Sequence, residues 1–383
     1  MYFKESNKLK ENNTRTTLKR KRKLRKRVYV IAFILIIILA AGGYGAYLYF
    51  EAQSALNDSY EDDGREKSDL RKEAVNPKLD NVSVLIMGVD SSDERESDGP
   101  GRTDAMIFAT LNKDEKSVKL VSIPRDSLVY IPEIGYETKI NHAHAHGGTK
   151  AAIDTVEELF DLPVDYYVKL NFEAFIDVID TLNGIDMDVP YEFKEQDSQD
   201  KANAIHLMPG EQTLNGEEAL ALARTRKKDS DVERGKRQLE IIQAIVDKSV
   251  SITSILKLDD LINAVAKNIS TNLTFKDMKS LVAYSSSTGD LDIETYSIDG
   301  NDYQPSNTYY WQLDEQSLFE TKNLLRNHLA LPELEPENPE EDPEIESHPG
   351  DDSGIEGNPE EQPYQEEEPY QEEQPYQEEN QQY

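Results

Sequence analysis

The chain contains no cysteine in 383 residues. Disulfide staples and thiolate chemistry, whether nucleophilic or metal-binding, are therefore excluded. Each end of the chain lacks something further. Residues 331–383 hold twenty Asp/Glu and no Lys or Arg, together with nine of the seventeen prolines. They close with a Pro-Tyr-Gln-Glu-Glu repeat that starts at Pro363, Pro369 and Pro375. So little apolar surface cannot offset the entropy of ordering, and a disordered, extended tail is expected. Residues 28–50 lack any charge over 23 positions, enough for a helix to span a bilayer. The preceding residues 1–27 carry twelve Lys/Arg against two Glu, which assigns that flank to the cytoplasm. Ala40-Ala41-Gly42 would suit a signal-peptide cleavage site, but the apolar run continues through Tyr44 to Phe50 and favours an uncleaved anchor. The expectation is a single-pass cell-membrane protein with everything after Phe50 outside the cell.

Between these ends, residues 51–80 are polar and charged, as in a stalk that holds a domain off the membrane. Residues 81–330 contain no Pro/Gly-rich break and form the folded domain. Apolar runs predict strands over Val82–Met87, Ala105–Leu111 and Ser117–Ile123. The four-residue turn Asn112-Lys113-Asp114-Glu115 makes the last two antiparallel. Further on, helices are expected over Thr149–Phe160, Phe172–Leu182, Asn215–Ala223 and from near Val232 onward, with a strand over Asp165–Leu170. The fold class is α/β, a mixed central β-sheet sandwiched by helices.

The formal net charge is −33, of which residues 28–330 carry −23, yet seven of the fifteen residues 224–238 are Lys or Arg. Cations crowded in this way repel unless an anion or solvent compensates them. The cluster straddles one helix end, a loop and the next helix start, where backbone N–H groups and guanidinium forks suit phosphate oxygens. Arg234, Arg237 and Gln238 lie three and four apart and are expected on one helix face. A solvated charged surface is the plainer alternative. Placed outside the membrane, the cluster is not expected to meet nucleic acid.

If the first two strands are also antiparallel, Asp90, Asp104 and Arg125 meet at one sheet edge. Two carboxylates and an Arg are what a hard cation bridging to phosphate requires. His142, His144 and His146 alternate and, on a strand, would face one side as zinc ligands do. No fourth ligand is evident, so ordinary hydrogen-bonding roles are expected. The stripe Phe172, Phe175, Ile176, Ile179 and Leu182 suits core packing or an apolar slot for a lipid chain.

In order, Gly88-Val89-Asp90, Gly101-Arg102-Thr103-Asp104, Ile123-Pro124-Arg125-Asp126, Lys139-Ile140-Asn141, Leu214-Asn215-Gly216, Arg224-Thr225-Arg226, Asp231-Val232-Glu233-Arg234 and Arg237-Gln238 resemble the LytR–CpsA–Psr family of cell-wall assembly proteins. The resemblance spans about residues 80–250 and includes the single anchor. It implies a phosphotransferase of a Gram-positive-type envelope. Such a protein moves an anionic glycopolymer, such as a wall teichoic acid, from a polyprenyl pyrophosphate carrier to peptidoglycan. By position, Asp90 and Asp104 match the family's Mg²⁺ site. Arg102, Arg125, Lys139, Arg224, Arg226, Arg234 and Gln238 match its pyrophosphate-binding set. Asp104, Arg125 and Arg226 are the residues expected to carry catalysis, Asp104 as metal ligand or base. Asn183-Gly184 departs from the usual Gly-Gly, and the acidic tail lies outside the pattern. A lipid pyrophosphate hydrolase would use the same residues with water as acceptor; a non-catalytic receptor or scaffold would keep the Arg set and tolerate loss of the carboxylates.

Overall fold

The computed structural model describes residues 59–89, 101–228, 231–249, 268–286 and 292–332, with isolated positions between 50 and 57. The expected basic segment 1–27, most of the span 28–50, Asp90 and the acidic tail beyond Pro332 lie outside the described residues. Among the described residues, no helix is long and apolar enough to cross a membrane.

The first apolar run becomes β1 (Val82–Val89), buried on both faces, as an unbroken run rather than an alternating one should be. It pairs antiparallel with β2 (Thr103–Asn112), from Val82 opposite Leu111 to Val89 opposite Thr103. A turn with Lys116 at φ 58 leads into β3 (Ser117–Ser122), again antiparallel. A hairpin of β4 (Leu128–Ile131) and β5 (Tyr136–Lys139) follows. Next, α1 (His142–Phe160) breaks at Gly148, whose φ of 64 a side chain would resist. This helix is the crossover that brings β6 (Tyr166–Leu170) parallel to β1.

The chain then forms α2 (Phe172–Thr181), β7 (Ile185–Val189), β8 (Phe193–Glu195), β9 (Ile205–Leu207) and β10 (Gly210–Leu214). Asn215 caps α3 (Gly216–Arg224) by accepting from Glu218 N–H, while the Glu218 carboxylate accepts from Asn215 N–H. After α3 come α4 (Asp231–Ser249), β11 (Ile269–Thr271), α5 (Phe275–Ser286), β12 (Asp292–Ser297), β13 (Gly300–Tyr303), β14 (Tyr310–Leu313) and α6 (Glu315–His328).

Six strands make the central sheet in the order β11-β6-β1-β2-β3-β12. Two of its pairings are parallel, β1 with β6 and β3 with β12, so the sheet is mixed. Leu85, Met87 and Phe108 on one face pack with Ile153 and Phe160 of α1 and Leu325 of α6. On the other face Val84, Ile107 and Leu120 pack with Leu239 of α4 and Leu281 of α5. Helices thus cover both faces, as the mixed α/β reading expected. A smaller core of Ile179, Ile185, Leu214, Leu222 and Ile241 joins α2, β7, β10, α3 and α4.

Two expectations change. Residues 59–80 were expected as part of a stalk, but they lie against the domain. Arg71 forks onto Asp165 at 2.9 and 2.7 Å, Arg65 reaches Glu157 and the Val164 carbonyl, and Tyr167 donates to the Glu61 carbonyl. Ion pairs and hydrogen bonds dock most of this polar stretch, with Val75 packed on the core and Pro77 buried, which is why its composition read as solvated. The His142–His146 run is the first turn of a helix rather than a strand, so alternate positions diverge instead of sharing a face.

His328, at the end of α6, bonds Thr110 Oγ1 through Nδ1 at 2.7 Å and Ser117 Oγ through Nε2 at 2.8 Å. Burial, followed by the nearby Lys119 ammonium, pushes its pKa down to about 4. The folded state therefore holds a neutral imidazole, whereas the unfolded chain takes up a proton below its ordinary pKa of about 6.5. Stability from this residue is fully present above about pH 6.5 and is lost as pH falls toward 4, with a slope of up to about 1.4 kcal/mol per pH unit. Urea titrations at a series of pH values should show that slope, and His328→Gln should flatten it.

Candidate anion-binding site

The antiparallel register of β1, β2 and β3 brings the start of β2 beside the end of β3, and there Arg125 Nη1 donates to Asp104 Oδ1 at 2.6 Å. Asp126, the next residue, is 4 % exposed and is the hub of the site. Its Oδ1 takes Lys139 Nζ at 2.9 Å, and its Oδ2 lies 3.9 Å from Arg125 Nε and 4.0 Å from Arg226 Nη1. Asp231, at the first turn of α4, pairs with Arg226 at 3.3 Å and with Arg234 one turn on at 3.2 Å. Three segments distant in sequence therefore meet: the β2–β3 edge, the end of β5, and the α3–α4 junction.

The carboxyls of Asp126 and Asp231 lie close enough to shift each other. Burial works against charge on Asp126, yet the hydrogen bond from Asp231 and the Lys139 ammonium hold its carboxyl below the usual carboxylate range. Burial and the Asp126 carboxylate together push Asp231 up. The opposite directions make Asp231 the carboxyl of the two that takes up a proton first as pH falls. Burial pulls the Arg234 guanidinium down to about 10, which still leaves it charged at neutral pH.

Arg224 ends α3 with its guanidinium 4.7 Å from the centre of the Phe172 ring, and its Nη1 is buried without a hydrogen-bond partner among the described residues. The buried Nε of Arg125 is likewise without one. Arg224 Nη1 thus keeps hydrogen-bonding capacity for a ligand, whereas Arg125 Nε has only its 3.9 Å approach to Asp126. Arg226 is 44 % exposed and faces solvent beside them. Arg102 is exposed on the rim; after burial, it is the largest influence lowering the His142 pKa. Gln238 Nε2 donates to the Ala223 carbonyl, tying α4 to α3.

Of the residues expected in the site, the structure gathers Asp104, Arg125, Lys139, Arg226 and Arg234 around Asp126 and Asp231. Arg224 and Gln238 border the cluster and also line the cavity described next. Asp90 lies outside the described residues. Arg237, expected on the same helix face as Arg234, is instead buried and donates to the Leu222 and Thr225 carbonyls at 3.2 and 2.5 Å, so it fixes the α3–α4 corner. The counter-charge role of Asp126 and Asp231 was not foreseen, although both sit in the motifs. An Asp adjoining a site Arg, at Arg125-Asp126, was the available signal. Two of the histidines make hydrogen bonds, as the plainer reading expected: His142 with Thr138, and His144 Nδ1 with the Gly101 carbonyl at 2.6 Å. Among the described residues, no group of three or more His, Cys, Asp or Glu could hold a metal ion.

An apolar cavity of about 470 Å³ opens beside the cluster. Its polar end is Asp104, Arg224 and Gln238, and its walls include Val84 and Ile107 of the sheet, Phe175 of α2 and Ile245 of α4. The stripe expected as a lipid slot contributes Phe172 and Phe175. Ile179 and Leu182 are buried elsewhere in the core, because the sheet and α4 supply most of the wall.

Asp231→Asn removes the counter-charge that buried Arg234 shares with Arg226 and should cost roughly 3 kcal/mol in urea denaturation. Asp126→Asn strips Lys139, Arg125 and Arg226 of their shared counter-charge and should cost roughly 2–3 kcal/mol in the same measurement.

The sequence model of the LytR_cpsA_psr family matches residues 46–327. A Bacillus subtilis relative, polyisoprenyl-teichoic acid–peptidoglycan teichoic acid transferase TagT, is 41 % identical over 317 residues, covering 82 % of this chain and 98 % of its own. An uncharacterised Staphylococcus aureus protein is 38 % identical over 84 % of this chain and 80 % of its own. Among solved structures, TagT with bound octaprenyl pyrophosphate superposes with a TM-score of 0.57 at 37 % identity, over 70 % of this chain and 98 % of that one. TagT bound to LI-WTA gives a TM-score of 0.60 at 39 % identity over the same shares.

Proposed function

The chain belongs to the LytR–CpsA–Psr family, and on that premise we propose that it transfers an anionic glycopolymer from a polyprenyl pyrophosphate carrier to peptidoglycan. The observation that carries the reading is the junction of an apolar cavity with a cationic cluster at Asp104, Arg224 and Gln238. A ligand that suits both must join a long apolar chain directly to a multiply charged anion. The relative TagT binds octaprenyl pyrophosphate, which has that form.

In the transfer, a hydroxyl oxygen of the acceptor bonds to the phosphorus next to the polymer. The bond from that phosphorus to the bridging oxygen breaks, and polyprenyl phosphate leaves. Charge shifts onto phosphoryl and leaving oxygens as this occurs. Arg125, Arg226 and Arg224 have donors that Asp126 and Asp231 do not saturate, and these stabilise the shifted charge without reorganising. Lys139 and Arg234 add positive potential from fixed positions. Asp104 keeps the Arg125 guanidinium oriented through their pair, losing it would sever that contact, and the acceptor proton passes to solvent water.

Mg²⁺ fits the chemistry of the site: Asp104 is a hard oxygen ligand beside the anion position, and Mg²⁺ is commonly held by one or two carboxylates plus substrate phosphates. Asp104 and Asp90 would hold it, and it would supply further charge neutralisation at the pyrophosphate. The uncharged run over 28–50 would anchor the chain once in the cell membrane, with residues 1–27 cytoplasmic and the domain outside. The transfer needs no ATP there, since the lipid pyrophosphate carries its own leaving group.

The test is a product analysis with lipid-linked polymer and peptidoglycan. Polymer bound to peptidoglycan supports the transferase; polymer released to solvent would identify the hydrolase instead. Arg125→Lys or Arg226→Lys keeps charge but loses the guanidinium fork, so turnover should fall well beyond the effect of a surface swap. Arg→Ala at either position should cost on the order of 3 kcal/mol, about a hundredfold in rate. Asp104→Asn should lose activity that added Mg²⁺ partly restores. Parental rates in all of these variants would leave the scaffold reading in place.

A further inference from the structure

The β13–β14 hairpin borders the cluster on a different side from the lipid cavity. Trp311 N–H donates to the Asp126 carbonyl at 2.8 Å, and Trp311 bridges Ser127, so the hairpin is fastened to the segment that carries the hub carboxylate. Lys139 Nζ lies 5.9 Å from the centres of both the Tyr309 and Tyr310 rings. Tyr303, 37 % exposed, stands opposite Tyr310 in the strand register, with ring centres 6.4 Å apart. Tyr309 Oη donates to Asp302 at 2.9 Å, which fixes its ring. Tyrosine rings thus extend outward from the cationic cluster, flanked by the exposed polar side chains Asn301, Gln304 and Asn307.

We infer that this hairpin is the platform for a sugar ring of the acceptor glycan, an uncharged β-1,4-linked N-acetylhexosamine chain. The inference rests on the transferase reading above and specifies where its second substrate sits. Rigid amphipathic rings offer a flat apolar face at low entropic cost, and the amide side chains offer hydrogen bonds, which is what a pyranose with one C–H face and a rim of hydroxyls requires. Two observations favour the acceptor over the donor polymer. Residues 299–313 contain two Asp and no Lys or Arg, so a polyanion is repelled there while a neutral glycan is not. The leaving group and the attacking hydroxyl must also approach phosphorus from opposed directions. The cavity holds the leaving lipid on the Asp104 and Arg224 side, whereas the hairpin meets the cluster at Asp126 and Lys139.

The chain has a single tryptophan, Trp311, and it lies in this hairpin. Its fluorescence therefore reports on the platform without reference to catalysis. Titrating the full chain in detergent with a soluble hexamer of β-1,4-linked N-acetylglucosamine should give a saturable change in emission. Tyr303→Ala should weaken it about tenfold, on the scale of one lost aromatic contact, while Tyr303→Phe should leave it unchanged. In the transfer assay, Tyr303→Ala should raise KM for the glycan acceptor and leave KM for the lipid-linked donor as in the parent. No saturable change in the parent, no effect of Tyr303→Ala on it, or an equal rise in both KM values would overturn the inference. If polymer is released rather than attached while the Trp311 titration holds, the transferase reading falls and the glycan platform stands.

Discussion

The site depends on a buried negative charge at Asp126. Four cations from three distant segments, Arg125, Lys139, Arg226 and Arg234, converge within ion-pair distance of Asp126 or its partner Asp231. Without a counter-charge their mutual repulsion would splay the α3–α4 junction away from the sheet edge. Two carboxyls against four cations are enough to assemble the cluster and too few to neutralise it.

This arrangement separates holding the cations from using them. Asp126 and Asp231 engage particular nitrogens, one of Arg226 and one of Arg234 on the same Asp231 oxygen. The guanidinium planes are thereby oriented while other nitrogens, such as Arg224 Nη1, stay unsatisfied. Preorganised donors of this kind stabilise charge that moves during reaction because nothing has to turn toward it. A solvated run of Lys and Arg would lack this property whatever its net charge. The distinction between an anion site and a charged surface lies in the carboxylates underneath, not in the cations alone.

The legible parts of the molecule were those encoded locally. The three strands, their antiparallel register and the gathering of Asp104 with Arg125 follow from apolar runs and one short turn, all between residues 82 and 125. The helix ends at Asn215 and near Val232 were likewise legible from capping chemistry and apolar spacing. Depth was not. Arg234 and Arg237 are both nearly buried, yet three residues along a helix rotate the side chain by about 60°, enough to send Arg237 into the carbonyls of α3. The polar stretch at residues 59–80 read as a stalk because Arg71 and Arg65 find partners about ninety residues away. The histidine run was ambiguous between two periodicities, and Gly147-Gly148 settled it by letting a short helical turn precede the main helix.

The aromatic hairpin was invisible for a related reason: nothing near Tyr303 or Tyr310 in sequence mentions Lys139, which lies more than 160 residues earlier. Topology brings them together. β12 adds to the sheet beside β3, so the chain leaving β12 emerges next to Arg125 and Asp126 at the end of β3. The cavity wall comes from one face of the sheet, Val118 and Leu120 of β3 and Ile293 of β12 included, and from the helices packed on that face. One sheet edge therefore presents its cations between an apolar enclosure and an open aromatic arm. A reaction that passes a phosphoryl group from a lipid to a water-soluble acceptor needs that asymmetry. The apolar wall retains the leaving group, while the arm, polar and uncluttered by cations, leaves the attacking side open to a neutral glycan.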